Sequence, residues 1–493
     1  MLSRLLKDVA VLGAGGDLGT DISSVVYDSR KAVPGCAFVA VRGLKTKGTD
    51  YMAAAAAKGA AAVVYDDPDA RAPEGVASAL VPDARVTMAL MAAELNGRPS
   101  ESMKVIGITG TNGKTTTAYL IRAALEHAGR SVGLLGTISY QIGGKTLPAP
   151  NTTPESVDLQ GLLAEMRDAG AGYAVMEVSS HAVSLRRIAG STFKVKVFTN
   201  FTQDHLDYHG TMEDYYEAKK EFFTGYPGVN VINLDDPKGW DLVASVTGGS
   251  MTYGINVPAD VTAKDLTLGG SGTRFTLVTP DGEAVVDSPL MGRHNAYNIL
   301  AAAAVCTVLG MTAEETAEGV SSMKEVPGRF EKVDLGQDFA VLVDYAHTDD
   351  AIARAIAAAR EFTKGRVITL FGCGGDRDRT KRPKMGYAAS LLSDILVLTS
   401  DNPRSEDPVE ILWEIESGVF EEGSKVKGET LFIITDRAEA IAFAVGLARE
   451  GDTVLLAGKG HEDYQIIGDR KFHFDDREAA REAIGRRLGI KAD

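Results

Sequence analysis

The run GITGTNGKTTTAYLI at 107–121 holds the residue types of a phosphate-binding loop. Glycines let backbone N–H groups face phosphate oxygens, and a helix N-terminus behind them adds partial positive charge. The loop is shorter than the common form. Counting back five from Gly113 reaches Ile108, and the nearest earlier glycine is Gly110, so the pattern is Gly-x-x-Gly-Lys-Thr. Lys114 is placed to reach terminal phosphates, and Thr115 to ligate Mg²⁺. Glu177, in MEVSSHA (176–182), is a further candidate Mg²⁺ ligand, although an isolated acid at a strand end is more often a surface or capping group.

The segment TNFTQDHLDYHGTMEDYYEAKKEFF (199–223) is dense in polar groups. His205 and His209 stand four apart, which on one helix would suit zinc. DYHG is expected to break any helix there, and no glutamate of the zinc-protease kind lies between them, so zinc is disfavoured. Lys219, on the amphipathic stretch that follows, reads by default as a solvated lysine. GCGGDRDRTKRPKMG (372–386) carries Arg377, Arg379, Lys381, Arg382 and Lys384. It is either a solvated basic helix start or an anion site, and its place after a strand and a glycine turn favours the anion site. In SDNPRSEDP (400–408), Arg404 offers a planar fork suited to a carboxylate, though the string alone would also serve as an Asn-Pro turn.

These segments need a frame of strands and helices. KVIGIT (104–109) is a short β-rich run. After the loop, Ala118, Ile121, Ala124 and Leu125 recur at helical spacing, with Gly129 as the stop. YAVMEV, KVKVFTN and GVNVIN continue the alternation of strand and helix, which implies a mostly parallel sheet. The stretch 247–288 reads as antiparallel hairpins, and 293–309 as a helix. Beyond EVPGRFEKVD (325–334), five apolar strands alternate with helical stretches. DYAH, GCGGDRD, SDNPR and GKGHED follow strand ends there and are expected to meet in one cleft. The expected fold is α/β in three domains. A small N-terminal α/β domain spans 1–97, a central parallel-sheet ATPase-type domain 98–330, and a Rossmann-like doubly wound domain 331–493.

The chain has 493 residues and a formal net charge of −15, which argues against a nucleic-acid or anionic-membrane partner. Three scattered cysteines, Cys36, Cys306 and Cys373, exclude a disulfide framework and fit a reducing compartment. No signal-peptide pattern opens the chain, and the longest apolar run, around 299–311, is too short to span a bilayer. A cytoplasmic monomer without membrane insertion is the expectation.

Taken together, the segments resemble the Mur ligase family. The resemblance runs from YDSRKAVPGCAFVAVRG through the loop, NTTP, MEVSSHA, DHLDYHGTMEDYYEAKK, GRHNAYN, VPGRFE, VDYAHT and GCGGDRDRTKRPKMG to SDNPRSEDP and AGKGHEDYQ. The shortened loop is that family's form, shared with folylpolyglutamate synthases. The resemblance implies ATP on Gly110, Thr111, Asn112, Gly113, Lys114, Thr115 and Thr116, with Asn298, Arg329 and Asp344 also facing the nucleotide. It implies two Mg²⁺ ions on Thr115, Glu177, His205 and Lys219, the last as a carbamate formed with CO₂. A UDP-N-acetylmuramoyl-L-alanyl-D-glutamate substrate would meet Ser29, Thr152, Thr153, Ser179 and Arg187. A glutamine often found two residues before that arginine is Leu185 here. The DNPR version of the later motif implies meso-2,6-diaminopimelate as the added amino acid, on Arg377, Asp401, Asn402, Pro403, Arg404, Gly458 and Glu462. Lysine as the added amino acid, a folylpolyglutamate synthase-like activity, and a non-catalytic ATP switch remain the alternatives.

Overall fold

The structure is a computed structural model that describes residues 1–43 and 46–490. Its central sheet has eight strands, six of them parallel, in the spatial order Ser250–Tyr253, Val229–Asn233, Val195–Phe198, Lys104–Thr109, Tyr173–Glu177, Val132–Leu135, closed by the antiparallel hairpin Ser139–Ile142 and Lys145–Pro148. Strands buried on both faces read as continuous apolar runs rich in Val and Ile, and KVIGIT is one: all but Lys104 is buried. Helices Lys114–His127 and Arg293–Val308 cover one face and Ser156–Asp168 and Met212–Thr224 the other, giving two apolar layers.

The N-terminal sheet has five strands in the order Gly13–Gly15, Ala77–Leu80, Ala62–Tyr65, Cys36–Ala40, Ser24–Val26. The C-terminal sheet runs Glu331–Lys332, Ala340–Asp344, Thr453–Ala457, Val367–Phe371, Ile395–Leu398, Leu431–Ile433, with all but the first pair parallel. Three helices from 349 to 422 pack on one of its faces and helices Arg437–Leu447 and Asp476–Leu488 on the other, which makes it doubly wound. The fold is therefore α/β with the central parallel sheet and the two flanking α/β units that the strand–helix alternation implies.

Three local expectations need correction. Of the stretch 247–288, Ser250–Tyr253 joins the central sheet as a parallel edge strand, and only Thr262–Ser288 forms the three-stranded antiparallel sheet. DYHG does not forbid helix outright: Leu206–His209 forms one turn that Gly210 ends. Lys219 is not solvated but 1 % exposed. No helix among the described residues is long and apolar enough to cross a membrane.

One buried ion pair ties the C-terminal unit together. Arg437 and Asp476 are both fully buried and joined by bonds of 2.7 and 2.6 Å, and Arg437 also donates to the Ala457 carbonyl at 3.0 Å. Removing one member of such a pair strands the other charge. Arg437→Met is expected to lower the stability of this unit by about 3–5 kcal/mol in urea unfolding. The double variant with Asp476→Leu should lose distinctly less, and equal losses would show that the pair is not what holds the unit.

Candidate active site

The loop sits where the strand Lys104–Thr109 hands over to the helix Lys114–His127. Gly110 has φ +144, and a Cβ there would stand 1.9 Å from Thr199 Oγ1. Only glycine lets the loop lie this close to the end of the neighbouring strand. Thr111 N then donates to the Asn200 carbonyl at 2.9 Å and Asn112 N to Asn200 Oδ1 at 2.9 Å. Gly113, φ +86, opens the helix, and its α-carbon faces Asn298 Oδ1.

Two lysines converge on one carbonyl. Lys114 Nζ donates to Gly110 O and Thr111 O, both at 2.8 Å, and Lys219 Nζ donates to Gly110 O at 2.9 Å. Burial pushes the Lys219 amine well below the ordinary lysine range, and the charge of Lys114 pushes it further. Burial also lowers Lys114, against the pull of Glu177 and Asp204. Opposite them, Glu177 is 1 % exposed and takes Thr115 Oγ1 at 2.9 Å and Thr137 N at 2.8 Å on Oε1, with Thr137 Oγ1 at 3.1 Å on Oε2.

A cleft of about 940 Å³ opens from this point. Thr111 through Thr116, Thr152, Thr153, Glu177, Ser179, Arg187, His205, Lys219, Asn298, Arg329 and Asp344 all line it. Thr153 Oγ1 donates to Glu177 O at 2.9 Å, and Arg187 Nη1 to Thr153 O at 3.1 Å, so NTTP and the arginine form one wall. Arg329, from the approach to the C-terminal unit, donates to Thr115 Oγ1 at 3.3 Å. Asp344 accepts the backbone N–H groups of Phe330 and Ala346, each at 2.9 Å. His205 sits at φ +52 as the N-cap of its short helix, so it and His209 are not successive turns of one helix as a zinc pair would be. Its imidazole is pushed down to about 4, by burial first and by Lys114, against Asp204.

Ser29 lies apart from this cleft, in a short helical turn beside Tyr27, whose hydroxyl donates to Asp158 of the central unit at 3.1 Å. The predicted amino-acid residues form a second cluster at the carboxyl ends of the C-terminal strands. Asn402 Nδ2 donates to Glu462 Oε2 at 2.9 Å, and an added Cβ on Gly458 would stand 2.8 Å from Asp401 Oδ2. Arg404, at φ +52, donates to Gly375 O at 2.7 Å, and its backbone is latched by Ile466 O and Gly468 N. The Pro403 carbonyl presses on Gly375, and Arg377 is exposed. The basic run is not a five-charge anion site. Arg382 is fully buried on Glu406 and Glu414, Arg379 pairs with Glu414, and Lys381 donates to the His347 carbonyl.

Three sequence profiles match the chain: Mur ligase family, catalytic domain, over residues 21–104; Mur ligase middle domain over 108–306; and Mur ligase, glutamate ligase domain, over 328–460. A relative from Geobacter metallireducens, named UDP-N-acetylmuramoyl-L-alanyl-D-glutamate--2,6-diaminopimelate ligase, is 47% identical and covers 97% of both chains. The chain belongs to the Mur ligase family. A relative of the same name from Geobacillus thermodenitrificans is 45% identical over 95% of this chain and 96% of its own. A solved structure of an enzyme of that name matches with TM-score 0.71 at 33% identity, covering 99% of this chain and 100% of that one. A folylpolyglutamate synthase of Mycobacterium tuberculosis shares the fold at TM-score 0.62 and 18% identity, over 83% of this chain and 96% of its own.

Beside the residues that this Mur ligase's motifs offered, the sites hold two that sequence reading passed over. Thr137 grips Glu177 through both backbone and side chain, yet GTISY has no motif character. Lys459 is fully buried between Asp401 and Glu462; its signal was available inside GKGHED.

Burial, Arg329 and Arg477 lower His461 to about 4, against an ordinary imidazole value near 6.5. The folded state therefore resists a proton that the unfolded chain takes up. This contribution to stability is present above about pH 6.5 and is lost as pH falls toward 4. The urea midpoint of His461→Asn is expected to drop less between pH 7 and pH 5 than that of the parent; an identical drop would remove His461 from the account.

Proposed function

We propose that this chain is an ATP-dependent ligase that adds meso-2,6-diaminopimelate to UDP-N-acetylmuramoyl-L-alanyl-D-glutamate, an amide-forming step of peptidoglycan precursor synthesis. What carries the reading is the pairing of two features. One is near full-length identity of 44–47% to relatives named for that reaction; the other is an arginine, Arg404, without a carboxylate partner among the described residues, in the C-terminal cluster. Diaminopimelate differs from lysine by one extra carboxylate, and that carboxylate needs a cation in bidentate reach.

In this reading the D-glutamyl carboxylate oxygen attacks the γ-phosphorus of ATP, and the bond to the β,γ-bridging oxygen breaks. The products are an acyl phosphate and ADP. The amine of diaminopimelate then attacks the acyl carbon, the carbon–oxygen bond to phosphate breaks, and the amine loses a proton as the amide forms. The loop Gly110, Thr111, Asn112, Gly113, Lys114, Thr115 and Thr116 holds the triphosphate, with the N–H groups of Gly113 to Thr116 at the helix start facing it, Lys114 neutralises charge on its terminal oxygens, and Asn298, Arg329 and Asp344 hold the rest of the nucleotide. Residues 1–97 with Ser29 take the uridine end, and Thr152, Thr153, Ser179 and Arg187 the diphosphate and muramoyl part. Leu185 offers no polar contact to it. Residues 98–330 hold ATP, and residues 331–493 the amino acid. The protein acts as a cytoplasmic monomer.

Thr115 and Glu177 offer oxygens of the kind Mg²⁺ prefers, and no described cluster of three His, Cys, Asp or Glu could hold a metal unaided. That donor set suits an ion shared with substrate phosphates. Mg²⁺ held by Thr115, Glu177, His205 and carbamylated Lys219 would neutralise phosphate charge. Only an uncharged amine adds CO₂. Burial and Lys114 favour that form of Lys219, and adding CO₂ releases a proton and turns a repelling cation into an anion.

The test is phosphate release with ATP, Mg²⁺, bicarbonate and the nucleotide dipeptide, comparing meso-diaminopimelate with L-lysine. Diaminopimelate is expected to be preferred, and Arg404→Ala to lower its kcat/KM about 10–100-fold, the equivalent of losing a charged hydrogen bond worth about 1.5–3 kcal/mol. Turnover with lysine alone would replace the amino acid in this reading. No turnover by folded protein would bring forward folate substrates or an ATP switch. With ¹³C-bicarbonate, wild type should give a carbamate resonance that Lys219→Met lacks; a resonance retained in the variant would move the carbamate elsewhere.

A further inference from the structure

The C-terminal cluster contains a cation that none of the motif roles uses. Lys459 follows the strand Thr453–Ala457 and is 0 % exposed. Its Nζ lies 3.3 Å from Glu462 Oε2, 3.3 Å from Asn402 Oδ1 and 3.9 Å from Asp401 Oδ1. It therefore joins two loops that leave neighbouring regions of the sheet, 400–404 and 458–462. Asn402 completes the clasp: its Nδ2 donates to the same Glu462 oxygen at 2.9 Å, and its Oδ1 also accepts Ile466 N at 2.9 Å.

The charges explain why a lysine belongs there. Two carboxylates held close together in a buried place repel each other, and one of them then retains a proton. Burial and the charge of Asp401 raise Glu462, while Lys459 and Asn402 hold it down. The carboxylate of Asp401 accepts no hydrogen bond from any described residue, although its side chain is only 10 % exposed. Two acids against one ammonium leave a single net negative charge. That matches one ammonium group of a diamino acid, while Arg404 remains for a carboxylate.

We propose that Lys459 is a positioning residue of the amino-acid subsite: it clasps Asp401, Asn402 and Glu462 so that the free carboxylate oxygens of Asp401 and Glu462 meet the ammonium end of the incoming diamino acid. The proposal rests on the ligase reading above. The other titratable and charged groups facing Glu462 are Tyr345, Tyr464 and Arg437, and all three remain when Lys459 is changed.

Lys459→Gln removes the charge and keeps a donor. At pH 7 its KM for diaminopimelate should rise at least tenfold, while the KM values for ATP and the nucleotide dipeptide stay within twofold. The acid limb of kcat/KM for diaminopimelate should move up by at least one pH unit, because Glu462 then holds its proton to higher pH. A purely structural lysine would shift all three KM values together and leave the limb in place, and either that result or an unaltered KM overturns the proposal. Lys459→Arg keeps the charge but alters the reach: the KM for diaminopimelate alone should rise two- to fivefold with the limb unmoved. An unchanged KM in Lys459→Arg overturns the proposal even where the glutamine variant does not fold. Wild type is measured first. Absence of turnover there counts against the ligase reading, whereas wild-type turnover with an unaffected Lys459→Gln counts against Lys459 alone.

Discussion

The central cleft depends on a close approach of the Gly110 backbone to Thr199 and Asn200. Parallel strands stand about 4.8 Å apart, and the loop must cross the end of its neighbour without a side chain between them. With a Cβ position 1.9 Å from Thr199 Oγ1, residue 110 can only be glycine. That contact turns the Gly110 carbonyl toward two lysines, Lys114 and Lys219, at 2.8 and 2.9 Å. Two carbonyls, Gly110 O and Thr111 O, are poor compensation for two buried ammonium groups; burial lowers both, and the charge of Lys114 lowers Lys219 further. The arrangement is locally frustrated, and an anion beside the two lysines would relieve it. Frustration of this kind is tolerated where binding resolves it.

The rest of the fold serves to bring distant strand ends to that point. Ligands of open α/β sheets sit beyond the carboxyl ends of the strands. Glu177 ends one central strand, Asn200 follows another, and Asp344 ends a strand of the C-terminal sheet. Among the described residues the seam between the units carries few polar contacts: Arg329 with Thr115 at 3.3 Å, Thr202 Oγ1 with Asp350 at 3.0 Å, and Arg293 N with Glu361 Oε2 at 3.2 Å. A seam this lightly tied leaves the two units free to move against each other.

Most of the architecture was legible because parallel strands buried on both faces announce themselves as apolar runs: KVIGIT, YAVMEV and AVLVD are strands in the structure. Short or exposed elements were not. The hairpin Tyr464–Ile467 and Arg470–His473, whose strands are half-buried or exposed, has no such run, yet its backbone latches Arg404. Ser250–Tyr253 was absorbed into the hairpins that follow because its pairing is non-local. Lys219 could not be read as buried from its helix, where the apolar spacing places it among the aromatic residues Tyr215, Tyr216, Phe222 and Phe223 only once the helix has docked.

The arginines show what sequence composition leaves undecided. Arg382 and Arg437 are buried on carboxylates of the chain and Arg379 pairs with Glu414, so these three hold helices and strand ends in register. Arg404 donates to a carbonyl, and Arg377 donates to the carbonyl of its own neighbour, Asp376. A guanidinium on a neutral acceptor still has most of its attraction for an anion unspent, whereas one on two carboxylates does not. Identical side chains thus divide into those paired with the chain's own acids and those that are not. The division follows from where the acids Glu406 and Glu414 fall on the next helix and loop, and no count of basic residues within 372–386 contains it.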